Sequence, residues 1–448
     1  KPGYFRVNCC RPDPTKGLPL TNAPRISSSG DWVFRMSAAA DQEVPAALGA
    51  AEGTAAAPPS LPEEESAVLH GRQPISRVFR HRNYRLYFVG QLTSLLGTWM
   101  QQVAQGWLVY DLTHSAWLLG LTTFVGQIPI LLGSSFGGTL ADWMSKRDLL
   151  LWTQISSAVQ ALILTILTML GIVQVWHVIA LSALMGVITA VDMPARQAFT
   201  IELVGRQDLR HAIALNSIMF NAARIVGPSA AGILVAIAGV GICFAINTVS
   251  YAAMLAALWV MKLEPLPERP KRSAWNDVKD GFRYVFNHAP ILAALLLLAA
   301  CNLFGGAYVS LMPVFASDVF HQGSQGLGFL MTATGAGALT GAYTMTYIPE
   351  RYLPLALIIV AGMFGVALVL FSQSPIFLLS LALLVPVAFS LMTQAATTNT
   401  FIQSHCSEDM RGRVMAFFAM ATQGTVPIGA LLMGWLADGI GAPKALTL

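Results

Sequence analysis

The sequence predicts an all-α membrane protein with about eleven complete transmembrane helices and a truncated twelfth. Of its 448 residues, 55% are apolar and only 11% are charged, and the mean hydropathy is +0.59. A soluble protein carries about 25% charged residues, so the composition favours lipid as the solvent for most of the chain. Long apolar runs and alternating basic connections give the number and orientation of the helices.

Crossing about 30 Å of hydrocarbon takes roughly 20 apolar residues in a helix. Eleven runs meet this length, and they are centred near Thr98, Gln127, Val159, Leu184, Val226, Tyr251, Asn302, Ala338, Val360, Val387 and Thr425. A twelfth run begins at Gly441, close to the last residue, Leu448. We expect both ends of the chain to be incomplete, because it starts with Lys1 rather than Met.

Residues 1–73 are rich in Ala, Pro, Ser and Glu and show no apolar periodicity. Such a segment cannot bury enough apolar surface to offset the entropy of ordering, so disorder is predicted. Met36 is a candidate start, which would make residues 1–35 untranslated. No signal peptide with a basic start and a cleavage site is visible.

From Arg72 onward, basic residues other than Arg224 and Lys444 occupy the approach to the first run and then every second connection between runs. They are Arg72, Arg77, Arg80, Arg82, Arg85, Lys146, Arg147, Arg196, Arg206, Arg210, Lys262, Arg269, Lys271, Arg272, Lys279, Arg283, Arg351, Arg411 and Arg413. Basic loops stay in the cytoplasm, so the pattern predicts an inner or plasma membrane protein with a cytoplasmic N-terminus. Their dispersal favours anionic lipid over nucleic acid as a partner. The five cysteines lack metal-binding spacing, and no metal or cofactor is predicted.

The chain repeats itself at near-constant offsets. Gly120, Gly133, Asp142, Pro228 and Gly239 correspond to Gly328, Gly341, Glu350, Pro427 and Gly439. We therefore predict two six-helix halves, residues 74–262 and 291–448, joined by a cytoplasmic linker at residues 263–290. In the linker, apolar residues at helical spacing predict an amphipathic helix on the membrane surface: Trp275, Val278, Phe282 and Val285. Parallel halves of this kind are typical of transporters that rock around a central site, and we expect a monomer.

Five short motifs follow one another along the chain. They are Arg82-Asn83-Tyr84-Arg85, Val109-Tyr110-Asp111-Leu112-Thr113, Gly138-Thr139-Leu140-Ala141-Asp142-Trp143-Met144-Ser145-Lys146-Arg147, Pro194-Ala195-Arg196-Gln197-Ala198-Phe199 and Arg224-Ile225-Val226-Gly227-Pro228. Together, over about residues 75–448, they resemble the enterobactin-exporter or transmembrane secretion effector branch of the major facilitator superfamily. The third motif departs from the family's loop signature at Trp143, usually Arg, and at Ser145, usually Gly.

The third motif and the end of the fourth run supply a candidate gate, formed by Gly138, Asp142, Lys146, Arg147, Asp192 and Arg196. A carboxylate at Asp142 can accept hydrogen bonds from the free backbone donors at the start of a neighbouring helix. Lys146 and Arg147 can then reach Asp192. The resemblance implies that such a cluster locks the cytoplasmic gate in the outward-facing state. The alternative is a set of loop charges that only determines topology.

Arg224 lies in the middle of the fifth run. A charge at this depth costs at least roughly 2.5–3.5 kcal/mol and is functional by default. The alternative is a structural pair with a helix-end carbonyl or a Gln. Gly227, Pro228 and Gly232 follow and resemble a fragment of the motif found in antiporter-type exporters, with Ala231 where the fuller motif has Gly. Proline frees a carbonyl and kinks a helix, so we predict a pivot here.

Polar residues recur every three or four positions in the first run: Gln91, Ser94, Thr98, Gln101 and Gln105. This stripe should not face lipid, and it either lines a polar cavity or bonds to neighbouring helices. Because such bonds contribute only about 0.6 kcal/mol on average, we favour the cavity. Weaker candidates for the translocation path are Asn221, Asn302, Tyr308 and Gln394.

The sequence therefore predicts a secondary active transporter that exports a small amphiphilic molecule, a drug or a siderophore, by alternating access. Proton antiport is an expectation from the resemblance, since no Asp or Glu lies mid-span in the first, second, seventh or eighth run; Asp111 and Asp318 are exposed candidates. An importer or flippase of lysophospholipids or other solutes, or a non-transporting receptor, stays open as an alternative. No phosphate-binding glycine loop is present, and no enzyme is expected.

Overall fold

The computed structural model describes residues 75–261 and 274–448, with the backbone alone for residues 75, 76, 134–139, 141–143, 206, 274–280 and 409. Helices and short turns make up the secondary structure of these residues, and none of them lies in a strand. The predicted all-α class is therefore confirmed for the described part of the chain. The disorder predicted for residues 1–73 falls outside it.

A short 3-10 helix at Ile75–Arg80 precedes the main helices. These are α1 (Arg82–Thr113), α2 (Ala116–Trp143), α3 (Lys146–Met169), α4 (Val175–Gly205), α5 (Gln207–Ala238), α6 (Val240–Val260), α7 (Ala274–Asn287), α8 (Ala289–Val319), α9 (Gly323–Met345), α10 (Leu353–Gln373), α11 (Phe377–His405), α12 (Glu408–Ala419, Met420–Gly424 and Thr425–Ile440) and α13 (Ala442–Thr447). Below, α1–α6 are the N-terminal group and α8–α13 are the C-terminal group.

Nine of the described helices are long and apolar enough to cross a membrane, namely α2–α6, α8 and α10–α12. The long helices α1 and α9 are less apolar, because α1 carries a stripe of amides and hydroxyls and α9 is rich in Gly and Thr. The exact number of eleven spans and the division into two six-helix halves stay predictions. A helix does form within the predicted linker, at α7.

The boundary between α4 and α5 is a break at Gly205, where φ is +69° and ψ is 179°. This left-handed φ strongly favours glycine, because a Cβ would be strained there. Helix α8 is irregular too: π turns at Cys301–Gly305 and Phe315–Val319 flank a 3-10 segment. Such π turns are frequent at functional sites.

The helices pack in an order that defines two ends of the bundle. We call the basic end the one where α1 and α3 begin and α4 ends, near Arg82, Lys146 and Gly205, and the far end the one near Thr113 and Ala238. Within the N-terminal group, α1 lies against α6 and α3 lies between α4 and α6. Between the groups, α2 packs on α12 and α5 packs on α9.

Candidate functional site

Hydrogen bonds at the far end join the N-terminal group to the C-terminal group. The Tyr110 hydroxyl of α1 donates to Asp318 of α8. The Asp438 carboxylate of α12 accepts from the Ser115 hydroxyl at 2.7 Å and from the Ala116 backbone N–H at 2.6 Å. Ala116 begins α2, so a carboxylate meets a helix N-terminus, where unpaired donors and the helix dipole favour it. These bonds hold the two groups together at this end.

Closer to the middle, α5 and α9 approach each other backbone to backbone. A Cβ built on Gly232 would lie 2.6 Å from the Gly328 Cα, closer than atoms of two backbones can approach, so only glycine fits. Ser229 and Thr332 hydroxyls lie 2.5 Å apart, one turn nearer the basic end. The groups are thus in tight contact from the far end down to this level.

Exposure along one face of α5 changes steadily toward the basic end. At spacings of three and four residues, Ala231 and Pro228 are buried, Arg224 is half-buried, and Phe220, Ser217 and Ile213 are exposed, Phe220 by 46% and Ile213 by 58%. This face lies between α1, which meets α5 at Gly227, and α9, which meets it at Ile225 and Ser229. From this change we infer a cleft between the groups, which opens toward the basic end and closes just above Arg224.

Arg224 sits at the closed end of this cleft. By the rise of about 1.5 Å per residue it lies roughly 25 Å from the start of α5. Its guanidinium carbon is 5.9 Å from the ring centroid of Trp99 in α1, and it interacts electrostatically with Tyr308 of α8. Both helix groups thus surround it.

The Trp99 contact alone does not offset the cost of placing this charge. A cation over an aromatic ring contributes about 0.5–2 kcal/mol, whereas a mid-membrane charge costs at least roughly 2.5–3.5 kcal/mol. No ion pair to Arg224 is found among the described residues. The predicted structural pair with a helix-end carbonyl or Gln is likewise not found there, so access to water in the open cleft has to solvate the guanidinium.

Asp192 lies at the centre of a second polar cluster, near the basic end. Its carboxylate accepts hydrogen bonds from Thr153 at 2.6 Å and Gln154 at 3.1 Å, both in α3, and from Arg196 one turn later in α4. The Arg196 Nη1 is buried without a partner among the described residues. This cluster is a largely buried ion pair whose carboxylate accepts three hydrogen bonds.

Lys146 and Arg147 do not reach Asp192, which corrects our expectation. Lys146 pairs with Glu202 at 3.1 Å. Arg147 donates to the last carbonyls of α6, Leu258 at 2.8 Å and Trp259 at 3.1 Å, where the negative end of the helix dipole favours a cation. Asp192 accepts from Arg196, Thr153 and Gln154 instead. The side-chain surroundings of Asp142 and Gly138 lie outside the described residues.

The polar stripe of α1 faces neighbouring helices. Gln101 donates to Gln160 of α3 at 3.1 Å and accepts from Asn247 of α6 at 2.7 Å. Gln105 donates to Ser182 of α4 at 2.6 Å, and the Thr98 hydroxyl lies 3.5 Å from that of Tyr251. These contacts are the helix-to-helix bonding of the alternative, and the assignment of the stripe to the translocation path stays a prediction. Gln91 is buried, and its Oε1 lacks a partner among the described residues.

The weaker candidates divide into three kinds. Asn221 and Asn302 donate to carbonyls of their own helices, Ser217 at 2.8 Å and Leu298 at 3.0 Å. Tyr308 is 1% exposed and near Arg224. Gln394 is fully buried, and both amide atoms lack a partner among the described residues, as do the hydroxyls of Thr393 and Thr398. Of this set, Tyr308 interacts with Arg224, and Asn221 lies one turn before Arg224 in α5.

The predicted pivot residues allow close packing of α5. A Cβ on Gly227 would lie 2.6 Å from the Trp99 Cβ, so glycine brings α5 against α1 beside Arg224. Gly232 serves the contact with α9 described above. The helix continues through Pro228 with helical backbone angles, since Gly205 is the residue that departs from them.

A comparison with known families decides which class of protein carries this cleft. Residues 76–448 match the family described as "Transmembrane secretion effector". The chain belongs to this family. It is therefore a multi-pass membrane transporter of the major facilitator superfamily, and the resemblance noted in the sequence is confirmed.

Two relatives of this chain are proteins whose names include a siderophore. The chain is 28% identical to the staphyloferrin A transporter of Staphylococcus aureus over 374 residues, covering 81% of this chain and 92% of that protein. It is 25% identical to the enterobactin exporter EntS of Shigella boydii over 364 residues, covering 81% and 87%. A bacterial homologue of the lysosomal transporter Spinster, solved inward-facing and unoccupied, superposes with a TM-score of 0.62 at 15% identity, over 82% and 84% of the two chains. Family and fold are those of transporters.

Sequence reasoning missed several residues of the site. Glu202 and Asp438 stand at the ends of apolar runs, where a charge could have been noticed. Arg196 was predicted as a gate residue, but its pairing with Asp192, four residues earlier and at the spacing of an ion pair within a helix, was missed. Trp99 carried no signal, because its role depends on the close packing of α1 and α5.

Proposed function

We propose that this secretion effector exports a small amphiphilic molecule, of the siderophore or drug class, by alternating access around the cleft at Arg224. The supporting observation is the half-buried Arg224 at the meeting point of both helix groups, below contacts that close the far end. Positive loops mark the cytoplasmic side, so the basic end faces the cytoplasm and the cleft receives its substrate from there. The transporter works as a monomer in the inner or plasma membrane.

The outward-facing state follows when the far end opens and the basic end closes. Opening must break the bonds of Tyr110 to Asp318 and of Ser115 and Ala116 to Asp438. Closing brings the α5 face around Phe220 against the C-terminal group. The Asp192 and Arg196 pair, with Lys146 and Arg147 on their own partners, belongs to the gate at the basic end in this proposal.

We place proton coupling at Asp318. Its carboxylate accepts a hydrogen bond that crosses between the groups, and a proton on it removes the negative charge of that acceptor and adds a donor. Loading a proton from outside would then weaken the bond from Tyr110 and favour the open far end. Asp111 is exposed one position after Tyr110 and provides a matched control.

Uptake into everted membrane vesicles containing the full chain tests this proposal. Staphyloferrin A and enterobactin are the probes, because the names of the relatives include these two siderophores. We expect accumulation when the lumen is acidified, loss of it with a protonophore, loss of the gradient dependence in Asp318→Asn, and retention in Asp111→Asn. Accumulation that ignores the protonophore would remove antiport, and no accumulation of either probe would remove siderophore export.

A further inference from the structure

Arg224 is a cation with defined aromatic neighbours, but no counterion to it is found among the described residues. Five described carboxylates are bound elsewhere: Asp192 by Arg196, Asp208 by Arg77 and His81, Glu202 by Lys146, Asp318 by Tyr110, and Asp438 by Ser115 and Ala116. None of these groups can turn to Arg224 without leaving its own partner. Among the described residues, Arg224 therefore has no carboxylate as a counterion.

Aromatic rings frame the guanidinium. Trp99 lies under it at 5.9 Å, and Phe220, one turn before Arg224, meets the Trp99 ring edge to face with centroids 5.6 Å apart. Tyr308 approaches from the opposite helix group. A guanidinium stacked on a ring keeps its in-plane N–H donors free, and those donors match a planar anion in a bidentate arrangement.

The cleft also fixes the route to this position. Ser217 and Ile213 continue the exposed face below Phe220 toward the basic end, whereas Pro228 and Ala231 close it above. In the open state water can solvate the charge. When the basic end closes, that water leaves, and a guanidinium with no counterion becomes more costly in the drier site.

We propose that Arg224, Trp99 and Phe220 form a subsite for an anionic aromatic substrate, whose carboxylate or phenolate pairs with Arg224 while its ring lies against Trp99 and Phe220. The subsite rests on the proposed transport function and specifies its substrate class. The anion neutralises Arg224 as the cleft closes, so an anionic cargo favours occlusion more than a neutral one of the same shape.

Two probes that differ in charge alone test the subsite, 2-naphthoate and 2-naphthamide, by titration calorimetry on the full chain in lipid nanodiscs at pH 7. We expect the carboxylate to bind at least tenfold more tightly than the amide. Arg224→Gln should reduce the naphthoate affinity to that of the amide, and Arg224→Lys should keep part of the preference. Trp99→Leu should weaken both probes by the same factor.

Arg351→Gln is the matched control, because the Arg351 guanidinium lies over the Tyr352 ring at 4.7 Å in an exposed connection. It should leave both affinities unchanged. Equal binding of the two probes, or a preference for naphthoate that survives Arg224→Gln, would overturn the subsite. If the everted vesicles still accumulate a siderophore in that case, the transport proposal stands without the subsite. Selective naphthoate binding without any transport would leave the subsite and remove the transport proposal.

Discussion

Replacing Asp192 by Asn should destabilise the transporter strongly, because Asp192 is the only carboxylate that the described structure places on Arg196. The two side chains are 12% and 19% exposed, and the Arg196 Nη1 already lacks a partner among the described residues. Removing one member of a buried pair leaves a charge uncompensated and costs about 3–5 kcal/mol. At about 1.4 kcal/mol per factor of ten, the unfolding equilibrium constant should rise roughly 100- to 4000-fold.

Reversible unfolding in mixed micelles with increasing dodecyl sulfate, followed by tryptophan fluorescence, measures this change. The double variant Asp192→Leu/Arg196→Met removes both charges and should lie within about 1 kcal/mol of the parent or above it. Asp148→Asn is the control, since Asp148 is exposed at the start of α3, and it should cost at most about 1 kcal/mol. A single variant as stable as the parent, or a double variant as unstable as the single one, would refute the reasoning.

Three further changes test other parts of the structure. Asp438→Ala removes two hydrogen bonds between the groups. The distance between spin labels at the exposed Leu112 and Ile440 should therefore increase, and an unchanged distance would contradict the role of Asp438 in holding the far end closed. Gly232→Ala places a Cβ 2.6 Å from the backbone of α9 and should abolish siderophore uptake. Gly362→Ala is the control, because no atom lies within 4 Å of the new Cβ, and it should not change uptake. Equal uptake by both variants would count against the close packing of α5 on α9. Gln394→Leu removes a buried amide with no partner among the described residues. The free energy of unfolding should therefore increase by about 1–3 kcal/mol. A decrease would show that Gln394 has a partner.

The sequence was most informative where one residue carries its own signal. Arg224 was found because a charge inside an apolar run is rare, and the runs themselves correspond to helices in the structure. The ring beneath it could not be found, since Trp99 meets α5 only through the close approach at Gly227. Spacing along the chain gives a helix face but not the helix that it contacts.

The polar stripe and the charge cluster illustrate the same limit. Gln101 could have faced a cavity or another helix, and the choice depended on Gln160 and Asn247, which lie on two other helices. Lys146 pairs with Glu202, whereas Asp192 accepts from Thr153, Gln154 and Arg196. In both cases the hydrogen-bond or ion-pair partner depended on which side chains of other helices lie nearby in the folded structure.

Access to the cleft from alternate sides of the membrane is the central claim, and labelling of Phe220→Cys in a chain without other cysteines tests it most directly. Phe220 lies one turn from Arg224 on the exposed face of α5. An impermeant maleimide should label the cysteine from the cytoplasmic side in the parent and increasingly from the outer side when Asp438→Ala is added. Labelling that stays confined to one side in both proteins, or that occurs from neither side, would contradict alternating access.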